Sequence, residues 1–120
     1  KCSANCSVYS VNSKTGKTTW QTDFPEEDIE YITEFENTIW GYTEKGLLFQ
    51  LDMKTGKRIL ENQLKNLPVS NLEFVDVNSF YYYCEAGLIQ FDIKSKAENS
   101  VLLRNSIDDN AGDAFIKLIR

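Results

Sequence analysis

Gly46-Leu-Leu-Phe-Gln-Leu-Asp-Met-Lys-Thr-Gly-Lys57 alternates apolar and polar residues and then breaks at Lys54-Thr55-Gly56. Period-two alternation predicts a strand, Lys-Thr-Gly a tight turn, and Lys57 to Leu64 the returning strand. The same string occurs, altered, on either side at a spacing of 40: Asn12, Asp52 and Asp92; Lys14, Lys54 and Lys94; Thr15, Thr55 and Ser95. A second register agrees with it. Asn37-Thr-Ile-Trp-Gly-Tyr-Thr-Glu-Lys-Gly46 matches Asn78-Ser-Phe-Tyr-Tyr-Tyr-Cys-Glu-Ala-Gly87 at a spacing of 41, so the third hairpin has lost one residue. A fixed period of that length marks a repeat architecture.

Outward from that stretch the chain reads as strands throughout. Ser7 to Asn12 and Lys17 to Thr22 flank a turn at Gly16, which takes a positive φ at no steric cost. Asp28 to Glu36 fits a strand or a short helix, and the repeat favours the strand. Thr38 to Thr43 follows, with a turn at Gly46. Val69 to Val77, Ser79 to Cys84, Leu88 to Ile93 and Glu98 to Arg104 continue the series, with turns at Gly87 and at Lys94 to Ala97. Ala114 to Arg120 fits a strand or a two-turn helix and is read as a last strand.

These readings predict an all-β protein of antiparallel four-stranded units that bury their faces by stacking. Tyr9, Phe49 and Ile89 on one parity, and Val8, Leu48 and Leu88 on the other, are the expected inward residues. Both parities are apolar, as in a sheet packed on both faces. One repeat domain is expected over residues 1–120, with units of roughly 1–28, 29–68 and 69–107 and a C-terminal strand over 113–120.

Ser10-Val-Asn-Ser-Lys-Thr-Gly-Lys-Thr-Thr-Trp20 resembles the quinoprotein-type (PQQ-like) β-propeller blade repeat, Ala-x-Asp-x-x-Thr-Gly-x-x-x-Trp. Thr15, Gly16 and Trp20 match, while Asn12 replaces the Asp. In the second unit Asp52, Thr55 and Gly56 match but Leu60 stands at the Trp position. In the third only Asp92 is kept. The resemblance implies architecture, with the Thr-Gly turn and Trp docking one blade on the next. It implies about three blades, fewer than the roughly four to eight of closed rings. The expected form is thus an open or incomplete β-propeller, a piece of a longer one, or a ring closed with a second copy through blade edges. The family's cofactor is not expected, because its full ring, calcium site and vicinal cysteine pair have no counterpart in this sequence.

Composition narrows the chemistry. The formal net charge is −5, from 13 Lys and Arg against 18 Asp and Glu, which argues against nucleic acid or an anionic membrane as partner. No apolar run approaches the roughly 18 residues of a membrane-spanning helix. There is no histidine, so the commonest general base and metal ligand is missing. Three cysteines, Cys2, Cys6 and Cys84, leave one over; Cys2 and Cys6 are close enough to pair, and either has the option of Cys84. They are too few for a zinc site without other ligands. Glu26, Glu27 and Asp28, or Asp108 and Asp109, would need a partly buried pocket to act as a hydrolytic acid pair. Loop-like runs of acids more often form a solvated face. Asp108 to Asp113 has a faint likeness to a calcium loop without its regular spacing.

The expected function is a non-enzymatic protein-binding module without cofactor or metal, whose partner is a basic protein. Its partner-binding residues are expected in two acidic loops, Glu26, Glu27 and Asp28 with Asp108 and Asp109, and in the tyrosine run at Tyr81 and Tyr83. An acidic inhibitor or immunity-type protein is the first form of this reading, by analogy of size, charge and lack of catalytic groups. That form would place the chain in a bacterial cytoplasm; a secreted propeller would be extracytoplasmic. A fragment of a larger propeller scaffold is the alternative, and an acid-pair hydrolase the remote one.

Overall fold

The computed structural model describes residues 6–101 and 115–117. Every regular element among them is a β-strand, all pairings are antiparallel, and no helix occurs among the described residues. The chain divides into two compact units, Lys1–Gln63 and Leu64–Arg120.

The first unit holds a two-stranded hairpin, β1 (Cys6–Val11) and β2 (Thr18–Phe24), and a four-stranded sheet. The sheet is a meander in chain order: β3 (Ile29–Phe35), β4 (Thr38–Thr43), β5 (Leu47–Asp52) and β6 (Arg58–Gln63). Asp28 to Glu36 thus resolves as strand. The second unit is another meander, β7 (Glu73–Asp76), β8 (Ser79–Cys84), β9 (Gly87–Asp92) and β10 (Glu98–Val101). Consecutive antiparallel neighbours need only short connections, and tight turns supply them.

Three of those turns are built alike. Asn12, Asp52 and Asp92 each accept the backbone N–H of the residue three ahead through a side-chain oxygen, at 3.0, 3.0 and 2.9 Å. The backbone N–H of Gly16, Gly56 and Lys96 reaches the carbonyl four residues back at 2.8, 2.8 and 2.7 Å. Thr15, Thr55 and Ser95 then accept the N–H two residues on. The last turn position takes φ of 74° at Gly16 and Gly56 and 62° at Lys96. The N–H groups of Lys54 and Thr55 hold the Asp52 carboxyl below its usual range, and those of Ser95 and Lys94, with the Ser95 hydroxyl, do the same for Asp92. Short polar side chains therefore set the turn, and the glycines relieve its strain.

In the first unit the hairpin lies over one face of the sheet. Val8, Phe24, Phe49 and Leu51 form its core, with Trp20, Ile29, Ile39 and Leu47 packed around them. The Phe24 and Phe49 rings are 4.4 Å apart, and Arg58 covers Phe24 from outside at 4.7 Å. Trp20 donates its Nε1–H to the Met53 carbonyl at 2.8 Å, and the Thr22 hydroxyl donates to the Gly56 carbonyl. At Gly41 a Cβ would come within 2.4 Å of the Tyr31 carbonyl oxygen, so β3, β4 and β5 approach closely there only without a side chain. On β5, Leu48, Phe49 and Leu51 are all fully buried, as the two-sided apolar pattern predicts. Tyr9 departs from expectation: it is 56% exposed, because β1 turns Cys6 and Val8 inward and Tyr9 to the other face.

In the second unit the burial of β8 alternates strictly. Phe80, Tyr82 and Cys84 are buried, and Tyr81 and Tyr83 half-buried. Phe80 stacks on Phe91 at 5.0 Å and meets Phe74 at 5.1 Å. The Tyr82 hydroxyl donates to Glu98 at 2.9 Å, and the same carboxylate accepts the N–H groups of Lys65 and Asn66 at 2.9 and 3.0 Å. Glu98 thereby closes the loop that enters the unit.

The strand expected over Val69 to Val77 is shorter, running only from Glu73 to Asp76. Before it the backbone bridges to β8 only at Pro68 and Cys84, with the Val69 N–H donating to the Tyr83 carbonyl at 2.8 Å, and side chains take over from Ser70. The Ser70 hydroxyl accepts the Tyr83 N–H at 2.8 Å, and the Asn71 amide exchanges two hydrogen bonds with the backbone of Ile116, at 2.7 and 3.0 Å. Of the C-terminal strand expected over 113–120, only residues 115–117 are described, and they carry no strand.

Candidate protein-binding groove

From Asp23 to Glu36 the chain carries Asp23, Glu26, Glu27, Asp28, Glu30, Glu34 and Glu36, and no lysine or arginine. The fold puts this run on the end of β2, the loop after it, and the edge strand β3. Glu26 is exposed and occupies the left-handed region at φ 62°, a cost that a tight loop of few residues imposes on a non-glycine residue. The loop is closed by the Glu27 N–H on the Phe24 carbonyl at 3.3 Å, and the Glu44 N–H donates to the Asp28 carbonyl at 2.7 Å. Glu27 is half-buried, and its Oε2 is shielded from solvent without a hydrogen bond. The Ser7 hydroxyl and the Gln21 amide donate to Asp23 Oδ1 at 2.6 and 2.7 Å. Those bonds, Ser7's first, and the nearby Arg58 charge keep the Asp23 carboxyl below its usual range.

Strand β3 alternates in exposure: Glu30, Ile32 and Glu34 are exposed, and Ile29, Tyr31, Thr33 and Phe35 half-buried. Tyr31 stacks on Tyr42 of β4, with ring centres 5.5 Å apart. Ile32 is 50% exposed, a large apolar side chain between two carboxylates. Across from it runs β1, whose outer edge, like that of β3, has no strand neighbour among the described residues. Between the two lies an open groove of about 530 Å³, lined by Val8 and Tyr9 on one side and Ile29, Glu30, Tyr31 and Ile32 on the other. The site thus combines strand edges, exposed apolar side chains and an unbroken negative run.

The structure brings Glu26, Glu27 and Asp28 together in one loop at the start of β3. Tyr81 and Tyr83 share one half-buried face of β8, in the other unit. Asp108 and Asp109 lie outside the described residues. Among the described residues, no three carboxylates or cysteines converge as a metal site would require. Cys6 is disulfide-bonded and Cys84 is a buried free thiol, which removes Cys84 as Cys6's partner. Sequence reasoning places the site's acids in the two loops, puts Tyr9 among the inward residues and assigns none of Tyr9, Ile29, Tyr31 and Ile32 to the site. Their signal is the Glu30-Tyr-Ile-Thr-Glu34 alternation, where an apolar residue interrupts a charged face.

No family model matches the chain, and no curated protein matches it.

Proposed function

We propose that the chain is a non-enzymatic protein-binding module whose partner is a basic protein. The observation that carries this reading is the run from Asp23 to Glu36, seven carboxylates with no Lys or Arg among them in sequence, from the end of β2 through the loop and the edge strand β3 to the turn after it. Such a field speeds the approach of a positive surface and repels a negative one. The exposed Ile32 and Tyr9 beside it supply apolar area that charge alone lacks. An inhibitor or immunity-type role, covering a basic partner's working surface, is the form of binding this surface suits. The direct test is to immobilise the chain and pass a cell extract over it at about 0.05 and about 0.5 M salt, which spans strong and weak screening. A basic protein retained only at low salt, and lost when Glu26, Glu27, Glu30 and Glu34 are changed to Gln, supports the reading. Retention that ignores both salt and those changes overturns it.

A second reading, a piece of a larger propeller scaffold, is favoured by a different observation. The two four-stranded meanders have the strand order of propeller blades, and Trp20 of the hairpin sits on Gly56 of the next turn. In this reading the sheets are propeller-like blades and the hairpin is the outer half of another. Sedimentation of the purified chain separates the possibilities: a two-chain ring gives twice the monomer mass, and an open arc the monomer.

A further inference from the structure

We infer that the groove between β1 and β3 accepts an extended basic segment of the partner, which adds as a strand to the outer edge of β1. The inference rests on the proposed binding of a basic protein and says where and in what conformation the partner engages.

Three observations lead to it. The hairpin β1–β2 covers only part of the sheet beneath it. Phe24 and Val8 lie over Phe49 and Leu51, while Ile32 remains half exposed at the β3 edge of the sheet. Ile32 pairs with Gly41, which pairs with Phe49, so all three occupy one row across the sheet, and that row is open at its β3 end. A strand added beside β1 would extend the small sheet in that direction. The edge it would use, Ser7 to Val11, has no strand neighbour among the described residues. Main-chain N–H and C=O groups along a strand edge are a ready template for an incoming strand, with side-chain pockets for selection.

Charge chooses the occupant. A second copy of this chain would bring another Asp23–Glu36 run, with seven carboxylates of its own, close to the first, and like charges brought together are unfavourable. The same acids protect the edge from self-association. A strand carrying Lys or Arg reverses the sign. The apolar residues on its groove side would cover Ile32 and the groove floor at Val8 and Ile29, and its basic residues would lie within the field of Glu30 and the loop acids. The expected recognition sequence is therefore basic and apolar in alternation.

The test uses the full chain and a synthetic peptide, acetyl-Lys-Val-Lys-Ile-Lys-Val-Lys-Ile-amide, with three relatives. One has Glu for every Lys. Two carry N-methyl groups on the odd or on the even residues, because a strand pairs through alternate amides and only one set faces its neighbour. Expected are saturable binding that weakens about tenfold between about 0.05 and about 0.5 M salt, no binding by the Glu peptide, and loss with one N-methyl set only. Amide exchange at the alternate residues of Ser7 to Val11 whose N–H groups face away from β2 should slow about tenfold or more on binding, as paired edge amides do. Ile32→Lys, at an exposed position, should leave the circular dichroism of the chain unchanged and abolish the protection. Equal binding by both N-methyl peptides, or protection elsewhere than β1, overturns the strand addition and leaves the proposed function standing. No binding by the unmodified peptide also overturns it. Failure of the function itself reads out separately, as salt-insensitive or absent retention of basic proteins by the immobilised chain.

Discussion

The six-membered ring of Trp20 lies directly on Gly56, so close that a Cβ there would sit 2.4 Å from Trp20 Cε3. Gly56 also takes φ 74°, so it serves two needs at once. Gly16 has the same φ but nothing within 4 Å of its would-be Cβ. Gly16→Ala therefore isolates the backbone term, about 1–2 kcal/mol. Gly56→Ala adds overpacking and should cost about 2–4 kcal/mol in all. Urea melts of the two variants measure the difference; equal losses would mean that the indole yields and that the contact does not lock the hairpin to the sheet.

Glu98 makes stability depend on pH in a defined direction. Burial raises its carboxyl, but the N–H groups of Lys65 and Asn66 and the Tyr82 hydroxyl outweigh that and bring it below its ordinary value of 4.5. A depressed folded-state value gives stability that is complete above the unfolded value and is lost as pH falls through the folded one. Glu98→Gln should thus cost stability at pH 7, and the gap to the parent chain should close as pH drops below about 4.5. Tyr82 acts at the other end. Burial first, then its bond to Glu98, raises its hydroxyl above 10.0, so stability holds below that pH and falls as pH rises past it. Thermal melts from acid to alkaline pH check both signs.

How far the fold is legible depends on whether its cause is local. Thr38–Thr43 is readable to the residue, because a β-branched and aromatic run is bounded by Asn37 and by Glu44-Lys45-Gly46. The turns at Asn12, Asp52 and Asp92 are readable for the same reason, since each side chain bonds its own next residues. The shortening of β7 is not. Asn71 meets Ile116, a partner 45 residues away, and no window of sequence contains both. Tyr9 misleads differently: alternation shows two apolar parities on β1, but not which face the sheet covers. The groove is half legible. Its acids stand in one run, whereas Val8 and Tyr9 come from a strand that only folding sets against β3.

The cysteines give a chemical check on the disulfide. Cys84 is free and 5% exposed, with its thiol directed at the Gly87 carbonyl at 3.4 Å, and Cys6 is disulfide-bonded. Native chain treated with iodoacetamide should remain unlabelled at Cys84. In denaturant without reductant that residue alone should react, and the pair should follow only after reduction. Labelling of Cys6 in unreduced, denatured chain, read by peptide mass mapping, would contradict the assignment.

Asn71 anchors residues 115–117 to the second unit through its paired hydrogen bonds to Ile116, with Lys117 Nζ 3.7 Å from Glu73 as a weaker aid. Lys117 is largely exposed, so its ion pair contributes little. Asn71→Ala should therefore speed amide exchange at Ile116, while Lys117→Ala should barely change it. Equal effects would assign the anchoring to charge instead.

Charge and apolar contact in the groove should separate in the kinetics of partner binding. Glu30 and Glu34 are exposed on β3, so changing both to Gln should alter stability by no more than about 0.5 kcal/mol. Long-range attraction acts before contact, so that double variant should lower the association rate several-fold at low salt and leave dissociation nearly unchanged. Ile32 acts only after contact. Ile32→Ala removes apolar area at a half-exposed position, and should speed dissociation with the association rate and its salt dependence intact. Surface plasmon resonance with the retained basic partner reads both rates. If the Gln variant changes only dissociation, the acids are contact groups and the steering role falls; if Ile32→Ala changes neither rate, the partner does not enter the groove.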